Sequence, residues 1–190
     1  MTERRKEKLL SVLRHRQPNL TVVLEDIHDP HNVSAILRTA DAVGIQEVQL
    51  IYTNEKFPKM GKKSSASASK WMKRRSFGTV KECYKQLRAE GFAVCATHLG
   101  KKTKSLYDLD LTKKIALVFG NEHRGVSSEA AKEADENFQI PMAGVIESLN
   151  VSVACAVSLY EVFRQREACG RQLYLDEDTV QRLFVEWMKK

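Results

Sequence analysis

The 190-residue sequence has few aromatic residues, at 7 %, and it contains neither a long apolar run nor closely spaced cysteines. No apolar stretch approaches the roughly 18–20 residues that a transmembrane helix requires, so we expect no membrane partner. The cysteines form no C-x-x-C pair, and a chain of this length buries enough surface to fold without disulfides. We therefore expect a cytoplasmic protein with four reduced thiols, those of Cys83, Cys95, Cys155 and Cys169.

Signatures of several common enzyme classes are missing as well. No G-x-G-x-x-G follows an apolar run, which argues against a dinucleotide site, and no G-x-S-x-G indicates a hydrolase. Gly120 and Gly125 have P-loop spacing, but Val126-Ser127 stands where Lys-Ser/Thr is required. His28 and His31 lack a nearby third ligand, so we expect a polar turn rather than a metal site. The charged N-terminus has no apolar stretch behind it, so we expect no secretory signal.

The sequence is basic, with 31 Lys and Arg against 24 Asp and Glu, for a net charge of +7. Residues 56–75 contain basic residues but no acid, together with a Ser-rich tract and Trp71. Basic side chains near an aromatic residue are typical of loops that bind a phosphate backbone and stack on a base. We expect a flexible nucleic-acid-binding loop over 56–75, although a solvated loop that maintains solubility has the same composition.

Short apolar runs alternate with helical patterns, which predicts an α/β fold of one domain. The runs are rich in β-branched residues, and unbroken runs of this length suit strands buried on both faces of a parallel sheet. The predicted strands are 20–24, 48–52, 92–96, 115–119 and, with a weaker pattern, 138–140.

Helices are predicted between these strands from apolar spacing and capping residues. Asn32 is predicted to cap a helix that stops at Gly44, and Ser127 to cap a short one, while a further helix covers 80–90. The helix predicted over 150–166 is apolar on nearly all sides in its first turns. We expect it to be covered by the sheet and by a partner subunit.

Two terminal arms flank the predicted domain, which spans residues 19–166. Residues 1–18 form a basic N-terminal arm, predicted to be helical. Residues 167–190 form a second helical arm, in which apolar residues recur at helical spacing after the predicted cap Asp176.

Three polar segments follow predicted strands and precede predicted helices. They are 28–32 with Arg38 behind it, 120–125, and 140–144 leading into 147–150. Ligands bind at the carboxyl ends of strands in open parallel sheets, so we expect the three segments to converge on one site. Caps and turns explain any one of these segments, but not all three together.

These segments resemble, in order, the three motifs of the SpoU-type 2′-O-ribose RNA methyltransferases of the SPOUT superfamily. The matching stretches are NVSAILRTA at 32–40, LVFGNEHRGVS at 117–127, and IPM through SLNVSVA at 140–154. The resemblance spans about residues 18–165. It implies a parallel-sheet SPOUT fold with a deep C-terminal trefoil knot, and a homodimer. It also implies S-adenosyl-L-methionine as methyl donor, S-adenosyl-L-homocysteine as product, and no metal.

The resemblance also implies roles for single residues, with Arg38 as the central catalytic residue. A guanidinium stays protonated, so we expect Arg38 to bind phosphate and stabilise the developing alkoxide rather than act as a base. The other implied catalytic residues are Asn32, Glu122, Ser148 and Asn150. The implied cofactor contacts, largely through the backbone, are Thr97, Leu99, Gly100, Gly120, Ile140, Met142 and Leu149.

Within the family, both arms and the stretch 29–39 are most similar to the TrmH-type tRNA (guanosine-2′-O-)-methyltransferases, which act on guanosine 18 of the D-loop. tRNA is then the expected partner, bound by Arg4, Arg5, Lys62, Lys63, Lys70, Arg74 and Arg75. Only about eighteen residues precede the first strand, too few for the extra RNA-binding domain of many rRNA members. Alternatives are a 2′-O-methyltransferase of rRNA or of the tRNA wobble ribose, and a non-catalytic RNA-binding protein of the same fold.

Overall fold

The structure, a computed structural model, describes residues 2–58, 68–100, 103–170 and 173–189. The strands are β1 (Leu20–Glu25), β2 (Glu47–Ile51), β3 (Lys73–Phe77), β4 (Ala93–Thr97), β5 (Lys104–Ser105), β6 (Ile115–Phe119) and β7 (Glu136–Gln139). The helices are α1 (Glu3–Arg14), α2 (Pro30–Ala42), α3 (Ala68–Trp71), α4 (Val80–Ala89), α5 (Ser128–Glu133), α6 (Val151–Ala168) and α7 (Glu177–Met188).

The described strands form one parallel sheet in the order β3-β2-β1-β6-β4-β7-β5. Strands β1 and β6 lie next to each other near its centre and are buried along their whole length, which is why their sequences are nearly unbroken apolar runs. Helices α2 and α6 contribute to the core on one face, and α4 and α5 to the core on the other. The predicted α/β fold with a parallel sheet is confirmed, with strand ends displaced by one or two residues.

Helix α2 begins earlier than the sequence pattern predicts. Its cap is Asp29, whose carboxylate accepts a hydrogen bond from the His31 backbone N–H at 2.8 Å. Pro30 occupies the first turn, where its missing N–H would have no helical partner. The prediction that Asn32 caps the helix is therefore wrong. Asn32 lies inside the helix and is buried, so its amide is available to other chain segments.

The predicted caps Ser127 and Asp176 are confirmed: Ser127 accepts from the Ala130 N–H at 3.0 Å, and Asp176 from the Thr179 N–H at 2.8 Å. Asn150 also caps a helix, since it accepts from the Ser152 N–H at 2.8 Å. Helix α6 packs on α2 and, within this chain, leaves Val153 and Tyr160 47 % and 54 % exposed, so its cover by a partner subunit stays a prediction. No helix in the described ranges, α6 included, is long and apolar enough to cross a bilayer.

Part of the predicted basic loop is a strand. Residues 59–67 lie outside the described residues, but 73–77 form β3, which pairs with β2. The prediction that the loop extends to Arg75 is wrong, because exposed charges at Lys73 and Arg74 also suit a strand at the edge of a sheet. Trp71, expected to be available for stacking on a base, packs against Trp187 with ring centroids 4.8 Å apart.

The helices near the two ends of the chain pack against each other. Leu9 and Leu13 of α1 share a small core with Leu175 and with Val180, Leu183 and Trp187 of α7. Arg14 donates two hydrogen bonds to Glu177, at 3.1 and 2.9 Å. Arg16 is fully buried, lies over the Trp187 ring and binds Asp41 of α2 at 2.5 Å. These contacts attach α1 and α7 to the helix that carries Arg38.

A buried arginine near the end of α6 joins that helix to the segments that precede β1 and β6. Arg166 donates to the backbone carbonyls of Leu111, Lys113 and Asn19 and to the side chains of Gln17 and Asn19, at 2.6–3.0 Å. All of these acceptors are neutral oxygens. Burial lowers the pKa of Arg166 to about 10, so the guanidinium remains charged at neutral pH.

Replacing Arg166 by Lys keeps the charge but leaves several of these oxygens without a donor. Since an unsatisfied buried polar group costs about 1–3 kcal/mol, we expect the free energy of unfolding to fall by about 2–4 kcal/mol in urea denaturation. Arg164→Lys, two residues earlier on the exposed side of α6, is the control and should change it by less than about 0.5 kcal/mol. An Arg166→Lys variant as stable as this control would contradict the role given to Arg166.

Candidate active site at the carboxyl ends of the strands

Asp26 joins the loops that follow β1, β2 and β6. Its carboxylate accepts hydrogen bonds from the backbone N–H groups of Thr53, Asn54 and Glu55 at 2.9–3.2 Å. Its carbonyl accepts one from the Asn121 amide at 2.8 Å. Burial disfavours the charge of Asp26, but the hydrogen bonds outweigh burial and hold the pKa of this carboxyl below its usual range. The ends of three adjacent strands are thereby fixed to one another.

The loop after β6 turns back tightly on itself. A Cβ atom at Gly120 would lie 2.2 Å from backbone atoms of Gly125 and Val126, so only glycine fits there. Gly125 has a φ of 67°, and its N–H donates to the Asn121 carbonyl at 2.8 Å. The Asn121 side chain accepts from the His123 N–H at 3.0 Å, which closes the turn around Glu122.

Glu122, Asn32 and Asn150 connect the three polar segments. The Asn32 amide donates to a Glu122 oxygen at 2.9 Å, and its carbonyl oxygen accepts from the Asn150 amide at 3.1 Å. The Glu122 carboxylate also accepts from the backbone N–H groups of His28 and Asp29, both at 3.1 Å. The predicted convergence of the three segments is therefore present among these residues, and Asn32 lies at its centre.

The environment of Glu122 favours its charged form. Partial burial acts to raise the pKa of this carboxyl. Hydrogen bonds from Asn32, His28 and Asp29 act to lower it, and because their effect is the larger one, the pKa lies below its usual range. A carboxylate with three donors is suited to hold loops together, and it is poorly suited to take up a proton during a reaction. We therefore treat Glu122 as a positioning residue.

The third polar segment crosses the end of the sheet. It leaves β7 at Gln139 and reaches α6 at Asn150, whose amide binds Asn32 beyond the end of β1. In the strand order, β4 and β6 lie between β7 and β1. Residues 140–150 therefore return past the carboxyl ends of β4 and β6, where the other predicted cofactor residues are located.

The predicted cofactor residues follow three adjacent strands, β6, β4 and β7. The Thr97 hydroxyl donates to the Val118 carbonyl at 3.0 Å, and the His98 N–H donates to the Phe138 carbonyl at 3.0 Å, which joins the ends of these strands. Gly120 is buried, Thr97, Ile140 and Leu149 are half-buried, and Leu99, Gly100 and Met142 are exposed. Apolar side chains and backbone polar groups therefore lie side by side along this edge.

Arg38 and Ser148 are exposed, in contrast to the buried Asn32. Arg38 projects from α2 outside the apolar stripe of Val33, Ile36 and Leu37, and it makes no hydrogen bond or ion pair with the residues that the structure describes. Its guanidinium is therefore available to an external anion. Ser148 lies in the exposed third segment, two residues before the cap Asn150.

The predicted RNA-binding residues have different surroundings. Arg4 and Arg5 are exposed on α1, and Lys62 and Lys63 lie outside the described residues. Lys70 lies over the Trp71 ring, and Arg74 is exposed over the Phe57 ring. Arg75 instead donates to both oxygens of Glu90, at 2.5 and 3.1 Å, and lies 3.3 Å from Glu47. Its charge is neutralised within the protein.

Two cavities among the described residues, of about 280 and 220 Å³, lie away from this site: one is lined by Arg166 and Tyr174, the other by residues that begin β1 and β2. Among the described residues, no group of three His, Cys, Asp or Glu side chains is arranged to hold a metal ion.

Sequence reasoning missed two residues of this site. They are Asn121, which lies within the second motif, and Asp26, which precedes the first. Their sequence signal is a polar residue directly after a buried strand, at a position where its side chain can bond to neighbouring loops.

The sequence model of the SpoU rRNA Methylase family matches residues 19–160. The chain belongs to this family. The SpoU-family chain is 43 % identical over 193 residues to the tRNA (guanosine(18)-2′-O)-methyltransferase of Thermus thermophilus, covering 100 % of the chain and 98 % of that relative.

Solved structures also resemble this SpoU-family protein. The TrmH/SpoU tRNA modifying enzyme of A. aeolicus superposes with a TM-score of 0.89 at 36 % identity, covering 97 % of this chain and 95 % of that one. The SpoU methyltransferase AviRb of Streptomyces viridochromogenes, in complex with AdoMet, gives a TM-score of 0.73 at 26 % identity, covering 84 % and 65 %.

Glu122→Gln places an NH₂ group where backbone N–H groups donate, so we expect the free energy of unfolding near neutral pH to fall by about 1–3 kcal/mol. The folded-state pKa of Glu122 lies below the ordinary 4.5. At pH values above 4.5 the charge of Glu122 therefore stabilises the folded state. This stabilisation is lost as the pH falls through the pKa of the folded state. In urea denaturation, the difference between wild type and variant should shrink as the pH is lowered below 4.5.

The control for this experiment is Glu186→Gln, at an exposed position of α7. It should leave the free energy of unfolding within about 0.5 kcal/mol of wild type. A Glu122→Gln deficit that stays constant across the acid range would show that the carboxylate charge is not what holds the loops.

Proposed function

We propose that this chain transfers a methyl group from S-adenosyl-L-methionine to the ribose 2′-oxygen of guanosine 18 in tRNA. The observation that carries the proposal is the Glu122–Asn32–Asn150 linkage, which assembles all three family motifs at one end of the sheet. Similarity to the T. thermophilus guanosine-18 enzyme over nearly the full length of both chains supports this target over rRNA or the wobble ribose.

The residues at the ends of β4, β6 and β7 fit an adenosine-type cofactor. The half-buried side chains of Ile140 and Leu149 and the exposed Met142 offer an apolar surface to an adenine ring. Backbone groups near Thr97, Leu99 and Gly100 can read its edge. The close backbone approach at Gly120 leaves no room for a side chain at that position. No metal is needed for this chemistry.

When bound, S-adenosyl-L-methionine supplies an electrophilic methyl group attached to a positively charged sulfur. The residues of the chain hold the ribose hydroxyl in line with that methyl group, which alone contributes several kcal/mol. Arg38 remains protonated, binds the phosphate next to the target ribose through two donors, and stabilises the charge that develops on the 2′-oxygen. That phosphate accepts the hydroxyl proton. Asn32 and Glu122 position the loops, and Ser148 and Asn150 hold the substrate side.

The proposed tRNA surface combines α1 with the segment before β3. Arg4, Arg5, Lys70 and Arg74, with Lys62 and Lys63 of the undescribed segment, supply its positive charge. Arg75 is left out because Glu90 and Glu47 neutralise it. Each phosphate that these groups neutralise releases counterions, so binding weakens as salt rises.

We further propose a homodimer and a trefoil knot. Apolar residues are exposed along α6 and the segment before it, and they provide a surface that a second copy would cover: Met142, Val145, Ile146, Val153, Tyr160 and Phe163. The return of residues 140–150 past the ends of β4 and β6 fits a chain that threads through the neighbouring loop. A cytoplasmic location completes the proposal, because tRNA is found there.

Arg38→Ala tests the proposed chemistry. We expect it to lower methylation of bulk tRNA by at least about 100-fold while leaving calorimetric binding of S-adenosyl-L-homocysteine unchanged, since an alkoxide stabiliser contributes mainly in the transition state. Lys81→Ala, exposed on α4 at the opposite face of the sheet, is the control and should retain wild-type activity.

Nuclease digestion and mass spectrometry of the methylated tRNA would locate the product. The proposal predicts 2′-O-methylguanosine at position 18. Failure of the wild type to bind S-adenosyl-L-homocysteine would exclude a methyltransferase, and tRNA binding without methylation would identify a non-catalytic RNA-binding protein. A methyl group at another nucleotide would retain the chemistry and overturn the target.

A further inference from the structure

Three ionisable side chains meet beside the site that Asn32 organises. His28 follows β1, Glu55 follows β2 and Arg124 lies in the loop after β6. One Glu55 oxygen lies 3.3 Å from Nη2 of Arg124, and the other lies 3.3 Å from Nδ1 of His28. We call this cluster the rim triad.

The backbone of each rim-triad residue is fixed by other groups. The Glu55 N–H donates to Asp26 at 3.2 Å, the His28 N–H to Glu122 at 3.1 Å, and the Arg124 N–H to Asn121 at 3.3 Å. The loops are thus already joined without the triad side chains. A structural latch between the same loops would be redundant.

The triad contacts are also long and exposed. The side chains of His28 and Arg124 are 73 % and 58 % exposed, and that of Glu55 is 30 % exposed. Exposed ion pairs at such distances add little to stability, since water screens them. The two basic groups are therefore held in place by a partner that is easily displaced.

The two oxygens of one carboxylate thus lie near two nitrogens, with a hydrogen bond from Arg124, and a phosphate group offers the same pair of oxygens. Lys56 adjoins Glu55 in the chain and is exposed. The nearby Glu122 and Asp26 carboxylates are occupied by hydrogen-bond donors of their own. His28 also contacts this same Glu122 through its backbone, which places the triad next to the motif residues.

We propose that Arg124 and His28 bind a backbone phosphate of the RNA substrate, and that Glu55 occupies this phosphate site until RNA displaces it. The inference rests on the proposed function, because it takes RNA as the substrate. It adds a substrate-binding site separate from the implied catalytic and cofactor residues, with Glu55 as a built-in competitor for the site.

Two substitutions of opposite expected sign test the proposal, with tRNA affinity measured against salt concentration. Arg124→Ala should weaken tRNA binding about fivefold and reduce the magnitude of the salt slope by about one. Glu55→Gln should tighten binding about two- to fivefold, because it removes the competing charge. In the Arg124→Ala background, Glu55→Gln should tighten tRNA binding less than it does in the wild type, because the guanidinium that it would free is absent. Binding of S-adenosyl-L-homocysteine should remain at the wild-type value throughout.

The controls are Lys113→Ala and Asp110→Asn, an exposed ion pair of 3.4 Å before β6, at the opposite end of the sheet. Both should bind tRNA as the wild type does. The proposal is overturned if Arg124→Ala matches Lys113→Ala, or if Glu55→Gln weakens binding, since the latter would make the triad a structural latch. If the wild type methylates tRNA and Arg124→Ala binds tRNA with wild-type affinity, only this inference is refuted. If the wild type does not methylate tRNA, the proposed function is refuted.

Discussion

The site depends on a single buried amide, that of Asn32. Its nitrogen donates to Glu122, 90 residues away in sequence, and its oxygen accepts from Asn150, 118 residues away. A buried amide must satisfy both ends, and here each end is satisfied by a different motif. Bringing together residues so far apart in sequence costs conformational entropy. Formation of the parallel sheet already offsets that cost, because it places the strand ends side by side. Asn32 then selects one arrangement of the loops that those strands carry.

Interactions around this amide divide into fixed and displaceable ones. Asp26, Asn121 and Glu122 are at least partly buried and bind backbone N–H or C=O groups, so they set the positions of the loops. Arg38 and Arg124 carry exposed positive charge that is unpaired or only weakly paired, which suits contact with an incoming polyanion. Rigid backbone beneath available side chains is the arrangement that a preorganised site requires.

Much of the fold could be predicted from the sequence, because β1 and β6 are buried on both faces and their apolar runs have no other explanation. Caps such as Ser127 and Asp176 were predictable from local chemistry alone. The strand β3 was not, since its charged residues at the sheet edge match a basic loop. Convergence at the strand ends was predictable, but the centre of the site was not. Asn32 is a residue type that commonly caps helices, and only the tertiary structure shows that Asp29 is the cap instead.

The most direct test of this account is calorimetric titration of S-adenosyl-L-homocysteine into the Asn32→Asp variant. The substitution replaces the donating NH₂ by an oxygen that faces the Glu122 carboxylate, with almost no change in shape. The account predicts affinity at least about tenfold weaker than wild type in a protein that still unfolds cooperatively, because the loops carrying the cofactor contacts are no longer joined. Wild-type affinity in this variant would contradict the central role of Asn32.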